Sequence, residues 1–313
     1  MHLIALDSRY GGTGIADIAV QAFTTARTAL ATGRHDSDET DLRSVVGETG
    51  EIAAWCLYDG DRLEESRSVT HEAMLVSRLA GDRAMELFQL SHLALVNIHQ
   101  RHSREALRIA ENVIDPGSVA PRVEALFKIR AARALAQSGD RARAVAALDR
   151  AAGALLDSVH PRDPHWTWWL NDAELAVQRG LLHLELGDYA TAMPYFDEAA
   201  HGRLQRDPYD PVTNGGAVNA HGELWGRAAY NDLVHLLLAL TMARAWTDAE
   251  PVAEAVSDFT REVISARTEV MLSRAVNNIV RATNVGTPDR PSTTLVDLSE
   301  TIAAVRQWTI QTS

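Results

Sequence analysis

The fold is decided by Gly187-Asp188-Tyr189-Ala190-Thr191-Ala192-Met193-Pro194-Tyr195-Phe196-Asp197-Glu198-Ala199-Ala200. Counting from Gly187, small or aromatic residues stand at 2, 5, 9 and 12 (Tyr189, Ala192, Phe196, Ala199). Upstream, Gly139, Ala144, Leu148 and Ala151 repeat the spacing 0, 5, 9, 12, and that segment also begins Gly-Asp. Spacings of four and three keep side chains on one face of a helix of 3.6 residues per turn. Glycine permits a tight turn before the helix, and small alanines let two antiparallel helices approach closely. The Phe or Leu is then expected to plug the gap between neighbouring hairpins.

Weaker copies carry the same +4, +7 tail: Ser66, Thr70 and Ala73 after Gly60; Ala106, Ala110 and Val113 after Arg101; Ala249, Ala253 and Val256 after Arg244. The spacing predicts about five helix hairpins. Seven positions before four of the five anchors, or close to it, stands a small residue of the preceding helix: Gly180, Ala54, Ala94 and Ala132.

On these residues the chain resembles a tetratricopeptide-repeat array. His183 departs from that pattern where an aromatic is usual, and only one unit has the hallmark tyrosine. Gly139 and Gly187 lie further apart than the repeat length of about 34, so extended inter-repeat loops are expected. A narrower likeness rests on Tyr10-Gly11-Gly12, Gly50-Glu51-Ile52-Ala53-Ala54-Trp55 with Tyr58-Asp59, Trp166 to Leu175, and Gly187-Asp188. In this order they look like the C-terminal repeat region of actinobacterial Xre-type helix-turn-helix transcriptional regulators. The resemblance implies a regulatory module. The likeness begins almost at Met1, so either a truncated form or a stand-alone relative without its DNA reader is expected.

Composition agrees with an all-α chain. Of 313 residues, 46% are hydrophobic and 23% charged, with only 10 prolines and 19 glycines. That excludes a disordered or collagenous chain. No apolar run reaches the roughly 18 residues of a membrane span, and the start lacks the basic and apolar regions of a signal peptide. A cytoplasmic protein with no membrane partner is expected. The single cysteine, Cys56, excludes an internal disulfide and a cysteine-based zinc site. The net charge of −12 repels phosphate backbones, so direct nucleic-acid binding is not expected.

The expected organisation is a tetratricopeptide-like α-solenoid over residues 1–284, a linker at 285–294, and a C-terminal capping helix and tail at 295–313. Leu295, Leu298, Ile302 and Val305 have amphipathic spacing in that helix. Packing on a second subunit, giving a homodimer, is the alternative to capping. Residues 32–41 read as a polar loop. Residues 201–222, with Asp207-Pro208, Asp210-Pro211 and Asn214-Gly215-Gly216, read as a long loop that is either a binding lid or a surface insertion.

Catalytic signatures are scarce. No Gly-x-Ser-x-Gly, Walker loop, Gly-x-Gly-x-x-Gly or His-Glu-x-x-His occurs. His92 and His99, seven apart on one helical face, stand roughly 10 Å apart along the axis and cannot by themselves hold a metal. No cofactor or metal is expected. Tyr10-Gly11-Gly12-Thr13-Gly14 is glycine-rich but follows no evident βα unit. In His165-Trp166-Thr167-Trp168-Trp169 the tryptophans cannot all face one core, so one is expected to point outward.

In tetratricopeptide arrays the first helix of each hairpin lines a concave groove. The resemblance therefore nominates Glu51, Trp55 and Tyr58; Ser91, Leu95 and His99; Ile129 and Arg133; Glu174 and Val177; and Asn231 and Val234. This mixture of charges, aromatics and aliphatics suits a peptide, a protein segment or an amphipathic small-molecule effector, and Arg133 could pair with Glu174 or Glu51. Two other functions stay open: a biosynthetic enzyme using the groove with the 201–222 loop, and an assembly scaffold.

Overall fold

The computed structural model describes residues 2–32, 39–114, 119–156, 160–204, 226–284 and 290–312. Among these the protein is all-helical: fourteen α-helices and two 3-10 turns, with no strand. It forms two compact units, one comprising Met1–Ile4 and Ile15–Asn171, the other Ala5–Gly14 and Asp172–Ser313.

The first unit holds α2 (Ala16–Thr32), α3 (Glu39–Asp59), α4 (Leu63–Leu79), α5 (Arg83–His99), α6 (Ser103–Val113), α7 (Pro121–Gln137) and α8 (Arg141–Leu156). The second holds α9 (Asp172–Glu185), α10 (Tyr189–Leu204), α11 (Gly226–Ala243), α12 (Trp246–Phe259), α13 (Ala266–Asn284) and α14 (Thr293–Thr312). The N-terminal α1 (His2–Tyr10) contributes residues to both.

Five helix pairs, α3/α4, α5/α6, α7/α8, α9/α10 and α11/α12, are joined by turns of one geometry. In each, one residue takes a left-handed φ: Asp61 (57°), Arg101 (64°), Gly139 (80°), Gly187 (71°) and Arg244 (59°). The next residue's N–H reaches back to a carbonyl of the closing helix: Arg62 to Leu57, His102 to Asn97, Asp140 to Leu135, Asp188 to His183, and Ala245 to Leu240. This is the Schellman arrangement, which satisfies carbonyls that the end of a helix would leave bare. The Gly-Asp pairs combine a stop with a start. Glycine ends one helix, and the aspartate can cap the next, as Asp140 accepts from the Arg143 N–H at 3.2 Å. Gly81-Asp82 does the same between α4 and α5, with Asp82 accepting from the Met85 N–H at 3.0 Å.

The expected +5, +9, +12 tail is buried in all five pairs when counted from the left-handed residue. That fixes the first anchor as Asp61, one residue after the Gly60 expected from the sequence. Phe196 and Leu148 are both buried, and Phe196 stacks on His235 of the neighbouring hairpin. Gly180 lies under Phe196 so closely that a Cβ there would come within 2.6 Å of the ring.

The same spacing marks helices outside the five pairs. In α2, Ala19, Phe23 and Ala26 turn inward onto α3. In α14, Leu295, Ser299 and Ile302 are fully buried against α12 and α13. Moreover, α13 runs parallel to α11, with Tyr230 bonded to Glu269 and the Asn278 side chain donating to Thr241. The C-terminal helix therefore pairs with α13 as the second helices of the other hairpins pair with their first, and it begins at Thr293 within the expected linker. Residues 285–289 and 205–222 of the two expected connecting segments lie outside the described residues, as do 33–38; α10 runs on through Leu204.

The glycine-rich Tyr10–Gly14 stretch is a backbone clamp. The Ile264 N–H donates to the Tyr10 carbonyl at 2.7 Å, and the Thr13 hydroxyl accepts from the Ala266 N–H at 2.9 Å. Gly11, at φ 85°, sits where a Cβ would strike the Ile264 carbonyl.

Candidate functional site

In the first unit, α5 packs beside α3 and α7 beside α5, so equivalent positions of successive first helices share a face. Glu51, Ser91 and Ile129 occupy one such row; Trp55, Leu95 and Arg133 occupy the next. Glu51, Ser91, Ile129 and Arg133 are buried, whereas Trp55 and Leu95 are part-exposed.

Glu51 makes its contact with a residue the sequence did not nominate for the groove. Its Oε1 lies 2.8 Å from His92 Nδ1, and His92 Nε2 lies 3.2 Å from Ser66 Oγ. Serine, histidine and carboxylate in this order invite a nucleophilic interpretation. The geometry argues otherwise, because Ser66 is wholly buried and its hydroxyl donates to the Ala54 carbonyl at 2.8 Å. The trio ties α3, α4 and α5 together.

Above it lies an aromatic group. Tyr58 is 5% exposed, and its ring contacts Trp55, His92 and His99 at centroid distances of 5.5, 5.7 and 5.5 Å. The two histidine contacts are edge-on, which suits the ring quadrupole. His99 Nε2 in turn stands 3.3 Å from Asp61 Oδ1. Thus His92 and His99, on one face of α5, grip a single tyrosine of α3. Among the described residues no three metal-ligating side chains gather.

Elsewhere in this unit, Arg130 Nε donates to the Ser91 carbonyl at 3.3 Å, linking α7 to α5. The tryptophan cluster forms a 3-10 turn, His165–Trp169. Trp166 is buried and stacks on Phe88 at 4.4 Å, while Trp168 is the outward one at 40% exposure. Asp163 braces the approach to this turn, accepting from the N–H groups of Arg122 and His160. Cys56 is a buried core thiol.

The nominated residues of the second unit have other surroundings. Glu174 accepts from Gln178 within α9 at 2.7 Å. Asn231 is buried and accepts from the Thr268 hydroxyl of α13, and Val234 belongs to the core that α13 completes. The face of α11 that carries them is therefore covered by α13.

The sequence missed His92, Arg130 and Asp61. The first two share a register position with His235, which stacks on Phe196 at 5.2 Å. At this position a long polar side chain reaches back to the preceding hairpin. A repeat register extended by one residue would have revealed that row. Asp61 was hidden by the adjacent Gly60, which drew the anchor to itself.

Among the described residues no helix is long and apolar enough to cross a membrane. No protein-family model matches the chain, and the search of curated proteins gives no match.

Proposed function

We propose that the protein is a binding module of regulatory type, an α-solenoid of tetratricopeptide-like hairpins that acts in the cytoplasm on a peptide, a partner protein or a small effector. The observation that carries this is the face shared by α3 and α5. There, the rings of Trp55 and His99 flank the buried Tyr58 and His99 meets the carboxylate of Asp61, with the Glu51–His92 pair packed beneath. Apolar surface bordered by a few oriented polar groups is the usual composition of a ligand site. The five turns of one geometry favour the repeat assignment, and the likeness to helix-turn-helix regulators favours a role in modulating transcription. Ligand binding would act by preferring one arrangement of the hairpins over another.

Tryptophan fluorescence of the full chain, titrated with candidate peptides and metabolites, tests this function in wild type, Trp55→Ala and Arg133→Ala. A saturable change that weakens in Trp55→Ala supports it. Binding that is unaltered in both variants places the ligand elsewhere.

A further inference from the structure

We infer that the rim of the α3/α5 face accepts the side chain of an arginine or lysine from a partner peptide, a chemistry that rests on the binding function proposed above. Three side chains reach the surface here in a row. Trp55 is part-exposed, His99 is 27% exposed, and the Asp61 side chain is 36% exposed. Tyr58 forms the floor between the two rings.

Ahead of Arg62, the charged side chains on this part of α3 and its closing turn, Glu51, Asp59 and Asp61, are all acidic. Glu51 also buries a second carboxylate oxygen, Oε2, with no hydrogen-bond partner among the described residues. The nearest arginine in sequence, Arg62, is turned away: its guanidinium is bound to Glu65 at 2.6 and 2.8 Å and to Asp17 at 2.5 Å. Arg67 is likewise engaged by Asn97 and Glu105. The carboxylates of α3 and its closing turn favour a cation, as does the net charge of −12, and they are opposed by Arg101 of the α5 closing turn and the buried Arg133 of α7.

Length selects the kind of cation. The Tyr58 ring stands 5.5 Å from those of both Trp55 and His99, and His99 holds the Asp61 carboxylate at 3.3 Å, so the indole and the carboxylate lie at opposite ends of this group. A compact ammonium ion cannot touch both. A side chain of several methylenes can lay its stem on the indole and place its charged head at the carboxylate. Arginine and lysine have that form, and a peptide backbone would carry them along the exposed edge of α3 and α5.

Short peptides of randomised sequence, selected on the full chain, test the inference. We expect arginine or lysine to be enriched at one position. A synthetic peptide from that set should bind about tenfold more weakly to Asp61→Asn and to Trp55→Leu, and replacing its basic residue with methionine should cost a similar factor. Circular dichroism checks that each variant keeps its helices, with Trp55→Phe as the milder change should Trp55→Leu unfold. Selected peptides without a basic preference, or bound equally by wild type and variants, overturn the cation site and leave the binding module standing. Failure to retain any peptide overturns the cation site and the peptide form of the binding function.

Discussion

Phe196 of α10 lies against the backbone of Gly180 in α9, at a distance that leaves no room for a Cβ. Adding that one carbon forces either the ring or the helix to move, because Phe196 is fully buried with no slack around it. Gly180→Ala should destabilise the second unit by about 1–3 kcal/mol, and Phe196→Ala by about 3–5 kcal/mol. The two should not add. Phe196→Leu combined with Gly180→Ala is expected to recover part of the loss, measured as a double-mutant cycle in urea; strict additivity would show that the ring and the glycine do not meet.

Two of the hairpin turns place an arginine where glycine is at ease. Arg101 and Arg244 adopt φ of 64° and 59°, a conformation that costs a side-chain-bearing residue about 1 kcal/mol. Arg101→Gly and Arg244→Gly should each offset the entropy cost of glycine and leave stability equal or slightly raised. Gly139→Ala and Gly187→Ala should each lose about 1 kcal/mol. Thermal midpoints of the four variants read this directly, and a gain from alanine at either glycine would contradict the turn geometry.

Acid should weaken the contact between α4 and α5. Burial raises the Glu86 carboxyl, but hydrogen bonds and charge from Arg83 and Arg78 outweigh it and hold the group below its usual range. A lowered folded value means that the contribution is fully present above the ordinary carboxylate value of about 4.3 and is lost as pH falls through the folded value. Glu86→Gln should flatten the stability profile in that acid range. An unchanged acid slope would remove Glu86 as a contributor.

Alkali should act on the second unit. Burial, reinforced by the negative charge of Glu269, holds the Tyr230 phenol well above its ordinary value. Its hydroxyl donates to Glu269 at 2.6 Å, and Glu269 is paired with Arg306 of α14. The stabilisation is fully present below the ordinary tyrosine value of about 10 and is lost as pH rises through the raised folded value. Tyr230→Phe should be destabilised by about 1–3 kcal/mol at neutral pH, because Glu269 Oε1 loses its donor while Oε2 keeps Arg306. It should also show a shallower decline in alkali, followed by circular dichroism in urea at a series of pH values.

The sequence by itself determined the all-helical class and the inward face of the second helix in each of the five hairpins. Those properties are local: a tail spaced four and three residues can bury only one stripe of a helix, and Gly180 has to be small wherever Phe196 lands. Through the repeat resemblance it also nominated Glu51, Trp55, Tyr58 and His99, and the structure groups these four between α3 and α5. Tertiary structure decided what local spacing cannot carry. Asp61, rather than Gly60, takes the left-handed turn, because the closing bond from Arg62 to Leu57 fixes where the helix ends. His92 reaches Glu51 41 positions away, a pairing set by how one hairpin leans on the next. Asn231 was expected to line a groove but lies beneath α13, since a helix face is open or covered according to what packs on it, and no periodicity within the helix records its neighbour.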